Sequence, residues 1–361
     1  MYNPALHAIT VLEAVEIAIG SSGKGGGFIA SWAIPKCIAP LSFKLHESLA
    51  KEHDGEKRWG FRTVHAAEIK LQSRSGNQSA IEFDSAQYPR ALDWLYPGSV
   101  TGYKEIGSPK DSGQIHPHLF TKALAGFAEE RKVRVILGSA KAIGYSEDGS
   151  AVKSVTYVDK DTDSETTLDV TDVVVAAGPW SSKLLPKIKL FAPKGHSIVV
   201  RPSRDISPYI LFPHILPSSL LSPDIYPRPR DPMNDFDTVY SSGPDSHNDT
   251  LPELASDVVV EDEKCEDVWT AVKSVTSSEV ADGEVITRQA CYKAQIRKHE
   301  EDEETGPMVG PMDVSGLWLA TGLDEWGVQN GPAVGLVMSE MILEGKAKSA
   351  NVEKLDPKHW L

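Results

Sequence analysis

Cysteine is scarce in this chain of 361 residues: Cys37, Cys265 and Cys291 stand far apart, with no C-x-x-C spacing. An odd, scattered set argues against a disulfide framework and against a cysteine zinc site, and a reducing, cytoplasmic setting fits it best. Positive charge is also in deficit, with 37 Lys and Arg against 51 Asp and Glu and a net charge of −14. That sign disfavours nucleic acid or an anionic membrane as partner. No apolar run approaches the roughly 18 to 20 residues that span a bilayer. The N-terminal segment lacks a basic n-region and carries Glu13 and Glu16, unlike a signal peptide. The C-terminal KHWL is neither a prenylation box nor a peroxisomal tripeptide. Without a secretory signal, the sequons at Asn77-Gln78-Ser79 and Asn248-Asp249-Thr250 read as chance. No repeat period is found, which excludes solenoids and propellers.

What is present suffices for a folded core: 40% of residues are hydrophobic and 24% charged. The length suggests two domains, at roughly 100 to 200 residues each. His7 to Leu12 is a β-branched apolar run whose continuity predicts a strand covered on both faces. A glycine-rich turn follows, and Leu41, Leu45 and Leu49 then mark one face of a helix over Ala39 to Lys51. Pro117 starts a second helix through HLFTKALAGFAEE. VRVIL, AVKSVTYV, TTLDV and DVVVAA read as successive strands. From Pro193 to Gln295, alternating runs broken by Pro-rich turns, with one acidic amphipathic stretch, predict a largely antiparallel lobe. GLWLAT then reads as a strand, Gly322 to Pro332 as a turn, and Ala333 to Leu343 as a helix capped by Gly345. Strand-turn-helix units at both ends of the chain, around an inserted lobe, describe a discontinuous nucleotide-binding domain.

Four segments can carry chemistry. Glu13 closes a strand, where an acid can accept hydrogen bonds from ribose hydroxyls, although a strand-ending Glu is more often just solvated. SSGKGGG, Ser21 to Gly27, brings backbone N–H groups close to a phosphate or ring, and Lys24 could add charge. It matches neither G-x-x-x-x-G-K-[ST] nor G-x-G-x-x-G, and on its own reads as a flexible turn. VVVAAGPWS, Val173 to Ser181, ends a buried strand on small residues, where ligands meet a parallel sheet; the plainer reading is a tight turn with Trp180 in the core. ATGLDEWGVQNGPAVG, Ala320 to Gly335, leads from a strand into a helix whose first N–H groups suit partial negative charge.

Together, in this order, these segments resemble the D-amino-acid oxidase and glycine oxidase superfamily of FAD-dependent oxidoreductases. The likeness covers essentially the whole chain. It is greatest to fungal FAD oxidoreductases of cytosolic type, through SSGKGGGFIA, QIHPHLFT, VVVAAGPW, IYPRP and QACY. The resemblance implies an α/β fold: a Rossmann-type FAD-binding domain over 1–36, 112–186 and 306–361, with a mixed, largely antiparallel substrate lobe over 37–111 and 187–305. It implies that Glu13 meets the adenosine ribose and that Ser21, Ser22, Gly25 and Gly26 line the pyrophosphate and flavin edge. By the same likeness, Lys141 offers its backbone to adenine, and Ala177, Gly178 and Trp180 lie near the pyrophosphate. Gly327, Val328, Gln329 and Asn330 present N–H groups to the flavin pyrimidine. The implied reaction is hydride transfer from an amine or amino-acid-like small molecule to flavin N5, with O2 as electron acceptor and no metal.

Two departures qualify the resemblance. The family opens with a strand and a G-x-G-x-x-G turn, which this sequence does not contain; the absent strand would be central and would leave its neighbours with open edges. A shortened gene product is the favoured explanation, and a flavin-free binding or regulatory member is the alternative. Leu323 stands where relatives commonly carry His. Arg228 and Arg288 are candidates for a substrate carboxylate, since a guanidinium fork suits it, although each reads more simply as a surface or structural arginine. No catalytic base is assigned. His116 and His118 read as helix-start and packing residues.

Overall fold

The computed structural model describes residues 2–74, 88–217, 221–230, 236–247, 249–296 and 306–361. Asn77-Gln78-Ser79 and Asn248 fall outside them.

The chain begins with β1 (Thr10–Glu13), a single turn α1 (Ser21–Lys24) and β2 (Phe28–Ala30). Next come α2 (Ala39–Glu52), α3 (Gly55–Trp59), β3 (Arg62–Thr63), β4 (His65–Gln72), β5 (Val100–Gly107) and β6 (Ser112–Gln114). Pro117 opens α4 (Pro117–Glu130), as the sequence predicts, and β7 (Arg134–Tyr145), β8 (Val152–Asp159), β9 (Glu165–Asp169) and β10 (Val173–Val175) follow. A short α5 (Ser181–Leu184) leads into β11 (Lys194–Arg201), β12 (Tyr209–Leu216), β13 (Asp224–Arg228) and β14 (Thr238–Ser242). The acidic stretch forms α6 (Asp262–Val275), then come α7 (Ser278–Ala281), β15 (Glu284–Tyr292), β16 (Met308–Pro311), β17 (Leu317–Thr321) and α8 (Gly327–Glu344).

The lobe is one seven-stranded sheet in the order β15-β11-β14-β13-β12-β4-β5, antiparallel throughout except for the β12–β4 pair. Its side chains alternate between two buried faces, as the two-residue period of a strand requires. Ile198, Val200, Leu211, Ile225 and Val239 pack with Val268 and Val272 of α6. Val199, Ile210, Phe212, Tyr226 and Tyr240 point the other way, toward Phe28 and Trp326. That second face is an aromatic floor for the glycine-rich segment.

The parallel core is divided. β1 pairs in parallel with β7 in one sheet of order β1-β7-β8-β9, whereas β10 pairs in parallel with β17 in a separate sheet of order β10-β17-β16. Among the described residues, β1 and β10 each keep one edge without a strand partner. The strand expected to be covered on both faces is therefore half open: Ile9 is 41% and Val11 39% exposed, and Val174 of β10 is 42% exposed. A continuous apolar run marks burial only where neighbours exist on both sides.

Two helices also differ from expectation. On α2 the fully buried residues are Ala39 and the polar Ser42 and His46, while Leu41, Leu45 and Leu49 are only partly buried. α2 packs along α8 and closes a second core with α3 and α4 through Phe43, Trp59, Phe120 and Phe127. α8 begins within the expected turn and carries Pro332 inside it. Gly345 ends it in the left-handed conformation at φ 82°, where a Cβ would be strained.

Candidate functional site

The glycine-rich segment is held between the lobe sheet and α4. Thr121 Oγ1 donates to the Ser22 carbonyl at 3.4 Å, and Gln289 Nε2 donates to the Lys24 carbonyl at 2.7 Å. Lys24 itself reaches the lobe, its Nζ donating to the Ala290 carbonyl at 3.0 Å. Burial lowers the pKa of that ammonium. Its charge is directed at a strand edge rather than held out for a phosphate.

The glycines divide into two kinds. A Cβ on Gly26 would stand 2.1 Å from Tyr226 Cδ2 and 2.9 Å from Tyr240 Cδ1, so the aromatic floor itself demands glycine there. At Gly25 nothing lies closer than Ser21 O at 3.8 Å, so that position faces space a ligand can use.

Glu13 ends β1, and its Oε1 accepts the Val15 N–H at 3.2 Å. Burial raises its pKa, and the Val15 and Ala14 N–H groups partly oppose that. Lys141 is the extra residue of a β-bulge between Ala140 and Ala142 of β7, which takes its backbone out of the ladder. Its Nζ lies 3.6 Å from Glu253, while Trp180 Nε1 donates to the adjoining Pro252 carbonyl at 2.9 Å. Lys141 and the turn after Ala177 thus converge on one segment. Gly178 in that turn has φ +54°, with nothing within 4 Å of a Cβ position.

The fourth segment opens α8. Trp326 precedes it with no side-chain cap, so the N–H groups of Gly327, Val328 and Gln329 stay available, whereas that of Asn330 closes the first helical bond on the Trp326 carbonyl. The Gln329 and Asn330 side chains turn inward and are fully buried: Gln329 Oε1 accepts from Ala30 N at 2.9 Å, and Asn330 Nδ2 donates to the Ile34 carbonyl at 2.8 Å.

A cavity of about 300 Å³ lies between the glycine-rich segment and the lobe, lined among others by Glu16, Lys24, His116, Arg228, Thr238 and Gln289. Arg228, only 7% exposed, places Nη2 2.7 Å from His116 Nε2 and Nη1 3.5 Å from the Gly25 carbonyl. Burial, then the Arg228 charge, lowers His116 to about 3, so the imidazole is neutral and its Nε2 lone pair accepts. The structure does not bring Arg288 here. It stands between the lining residues Thr287 and Gln289 of β15, but its side chain turns to α6, 3.4 Å from Glu266 and 3.9 Å from Asp262.

Sequence reasoning missed the partners behind these groups. Asp224, Tyr226 and Arg228 alternate along β13, a spacing that places them on one face. The Tyr226 hydroxyl donates to Asp224 Oδ2 at 2.9 Å. Burial lifts the Asp224 carboxyl to about 7, with Glu325 adding to the rise, Tyr226 opposing it more strongly than Glu325 acts, and Lys293 opposing it least. Nothing local in the sequence signals Ser42 and His46.

The chain leaves backbone open at four of the expected places: beside Gly25, at the Lys141 bulge, in the turn at Gly178 and at the uncapped start of α8. The architecture joins a nucleotide-binding α/β domain to an antiparallel lobe, and the comparisons agree with it. The model of the FAD dependent oxidoreductase family, DAO, matches residues 5–341, and the chain belongs to that family. Over 372 residues it is 28% identical to "Putative oxidoreductase C1F5.03c" of Schizosaccharomyces pombe, covering 99% of this chain and 91% of that one. It is 25% identical to "Putative oxidoreductase TDA3" of Saccharomyces cerevisiae, covering 99% and 90%. The structure of glycine oxidase from Bacillus cereus superposes with a TM-score of 0.70 at 18% identity, covering 97% of this chain and 94% of that one. That last likeness is one of fold.

Proposed function

We propose that this chain oxidises a small amine or amino-acid-like substrate with FAD as cofactor and O2 as the electron acceptor, in the cytoplasm. The observation that carries the reading is the cavity beside Gly23 and Lys24 with the buried Arg228 guanidinium in its wall. FAD, when bound, supplies the N5 position that accepts hydride from the carbon bearing the substrate nitrogen. Glu13 takes the ribose hydroxyls and Lys141 offers its backbone to adenine. Ser21, Ser22, Gly25 and Gly26 line the pyrophosphate and flavin edge, joined by Ala177, Gly178 and Trp180. The first-turn N–H groups of α8 meet the flavin pyrimidine, where the positive end of the helix suits negative charge. Arg228 orients a substrate carboxylate, and neutral His116 fixes the guanidinium plane.

The test is the visible flavin spectrum of the purified chain with thermal melts with and without FAD, followed by anaerobic mixing with amino acids and with their decarboxylated amines. Flavin uptake, stabilisation by FAD and reduction by the carboxylated series alone is the expected result. The open edges of β1 and β10 favour a second reading, a flavin-free binding or regulatory member. A cooperative fold that stays colourless and does not respond to FAD supports that second reading and overturns the first.

A further inference from the structure

α8 starts with a defective hydrogen-bond ladder. Pro332 is its sixth residue and has no N–H, so the Val328 carbonyl lacks its partner four residues on. Gly327, Gly331 and Gly335 lie in the same stretch, and glycine inside a helix costs about 1 kcal/mol relative to alanine. Alone, this turn would fray.

Two residues of α2, one helical turn apart, replace what is missing. His46 Nε2 lies 3.0 Å from the Val328 carbonyl and 3.2 Å from the Gln329 carbonyl. Both neighbours are acceptors, so Nε2 carries the hydrogen. Burial holds the ring neutral down to about 4, and it packs on Phe120 with centroids 4.8 Å apart. Ser42 does something different: its hydroxyl donates to the Gln329 carbonyl at 2.6 Å and accepts the Ala333 N–H at 3.2 Å. It thus bridges the carbonyl and the N–H of one i, i+4 pair of α8.

We propose that Ser42 and His46 are positioning residues for the cofactor, holding the Pro332-opened turn of α8 so that its backbone N–H groups form a fixed donor set for the reduced flavin pyrimidine. The inference rests on the flavin reading above. With the carbonyls of Val328 and Gln329 satisfied from α2, and the Gln329 and Asn330 side chains anchored to Ala30 and Ile34, the turn keeps its direction. A donor set fixed in advance stabilises developing negative charge without reorganising when it appears.

The experiment compares wild type with Ser42→Ala, His46→Leu and His46→Gln, the last able to keep a donor. The midpoint potential of bound FAD is measured, together with amide exchange at Ala333 in the flavin-free protein. Expected in Ser42→Ala and His46→Leu is about a tenfold loss of preference for reduced over oxidised flavin, which lowers a two-electron midpoint by about 30 mV. His46→Gln recovers most of it. Ser42→Ala also speeds Ala333 exchange at least tenfold, a readout that does not depend on flavin. Unchanged potentials alongside lowered melting temperatures mean a merely structural role and overturn the inference, as does unchanged Ala333 exchange. A wild-type chain that takes up no FAD overturns the flavin reading and the inference together; one that takes it up beside unshifted variants overturns the inference alone.

Discussion

Arg228 and His116 meet at 2.7 Å, Nη2 to Nε2, in the wall of the cavity between the glycine-rich segment and the lobe. A guanidinium is always charged, so the contact is a hydrogen bond only while the imidazole is neutral, and burial together with the Arg228 charge ensures that. The pair joins an N-cap residue of α4 to the last residue of β13. The cation is thereby fixed between the start of α4 and the lobe sheet, in the wall of the cavity where the proposed substrate would lie.

Replacing Arg228 by Lys keeps the charge and removes the planar fork. Hydrogen bonds to a charged group contribute about 1.5 to 3 kcal/mol, so KM for a carboxylated substrate is expected to rise roughly 10- to 100-fold. Flavin content should stay constant, since Arg228 is not among the proposed FAD contacts. Steady-state kinetics on a carboxylated substrate and its decarboxylated amine check this, and an equal loss on both would refute the carboxylate role.

Gly25 and Gly26 are neighbours with opposite expected phenotypes. In Gly26→Ala the new Cβ meets Tyr226 at 2.1 Å, a ring that cannot swing aside because Phe212 and Tyr240 pack against it. Overpacking of this kind costs about 1 to 3 kcal/mol, so its melting temperature should fall by several degrees. Gly25→Ala meets nothing closer than 3.8 Å, so it should melt like wild type while binding FAD more weakly. Melts and FAD titrations of the two variants decide the matter, and equal behaviour would contradict the division of the loop.

Much of this molecule is legible in the sequence, because strands and helices are local. The period-2 runs of the lobe, Pro117 at the start of α4 and Gly345 at the end of α8 are all decided by nearest neighbours. The glycine-rich segment was visible as a motif, yet the reason for Gly26 was not, since Tyr226 lies two hundred residues away in sequence. The same limit hid the start of α8. Pro332 reads as a helix breaker on its own, and only His46 and Ser42, delivered by a distant helix, make it tolerable. Leu41, Leu45 and Leu49 mark a real face of α2 but not its deepest one, because two polar side chains with partners there are buried more completely than the leucines.

Asp224 gives the protein a distinct dependence on pH. Its carboxyl is raised from the ordinary 3.8 to about 7, chiefly by burial. A raised acid contributes stability that is fully present below the unfolded pKa and is lost as pH rises through the folded one. Ionisation therefore costs the folded state up to about 4 kcal/mol by pH 8. Asp224→Asn, which keeps an oxygen for the Tyr226 hydroxyl, should melt higher than wild type at pH 8 and equally at pH 4. Equal melting at both values would place the titration elsewhere.

His46 acts in the opposite direction. Its pKa falls from 6.5 to about 4 through burial, against the weaker pull of the Val328 and Gln329 carbonyls. A depressed histidine contributes stability that is present above the unfolded pKa and is lost as pH falls through the folded one. Acidification from about pH 6.5 to pH 4 should thus remove up to about 3 kcal/mol. His46→Gln cannot titrate, so its stability should be lower than wild type at pH 7.5 but should fall less steeply on acidification. The two profiles should converge near pH 4, as measured by denaturant unfolding at each pH. Parallel profiles would mean that the imidazole is already free to protonate, and α8 would then need some other support at its Pro332-opened start.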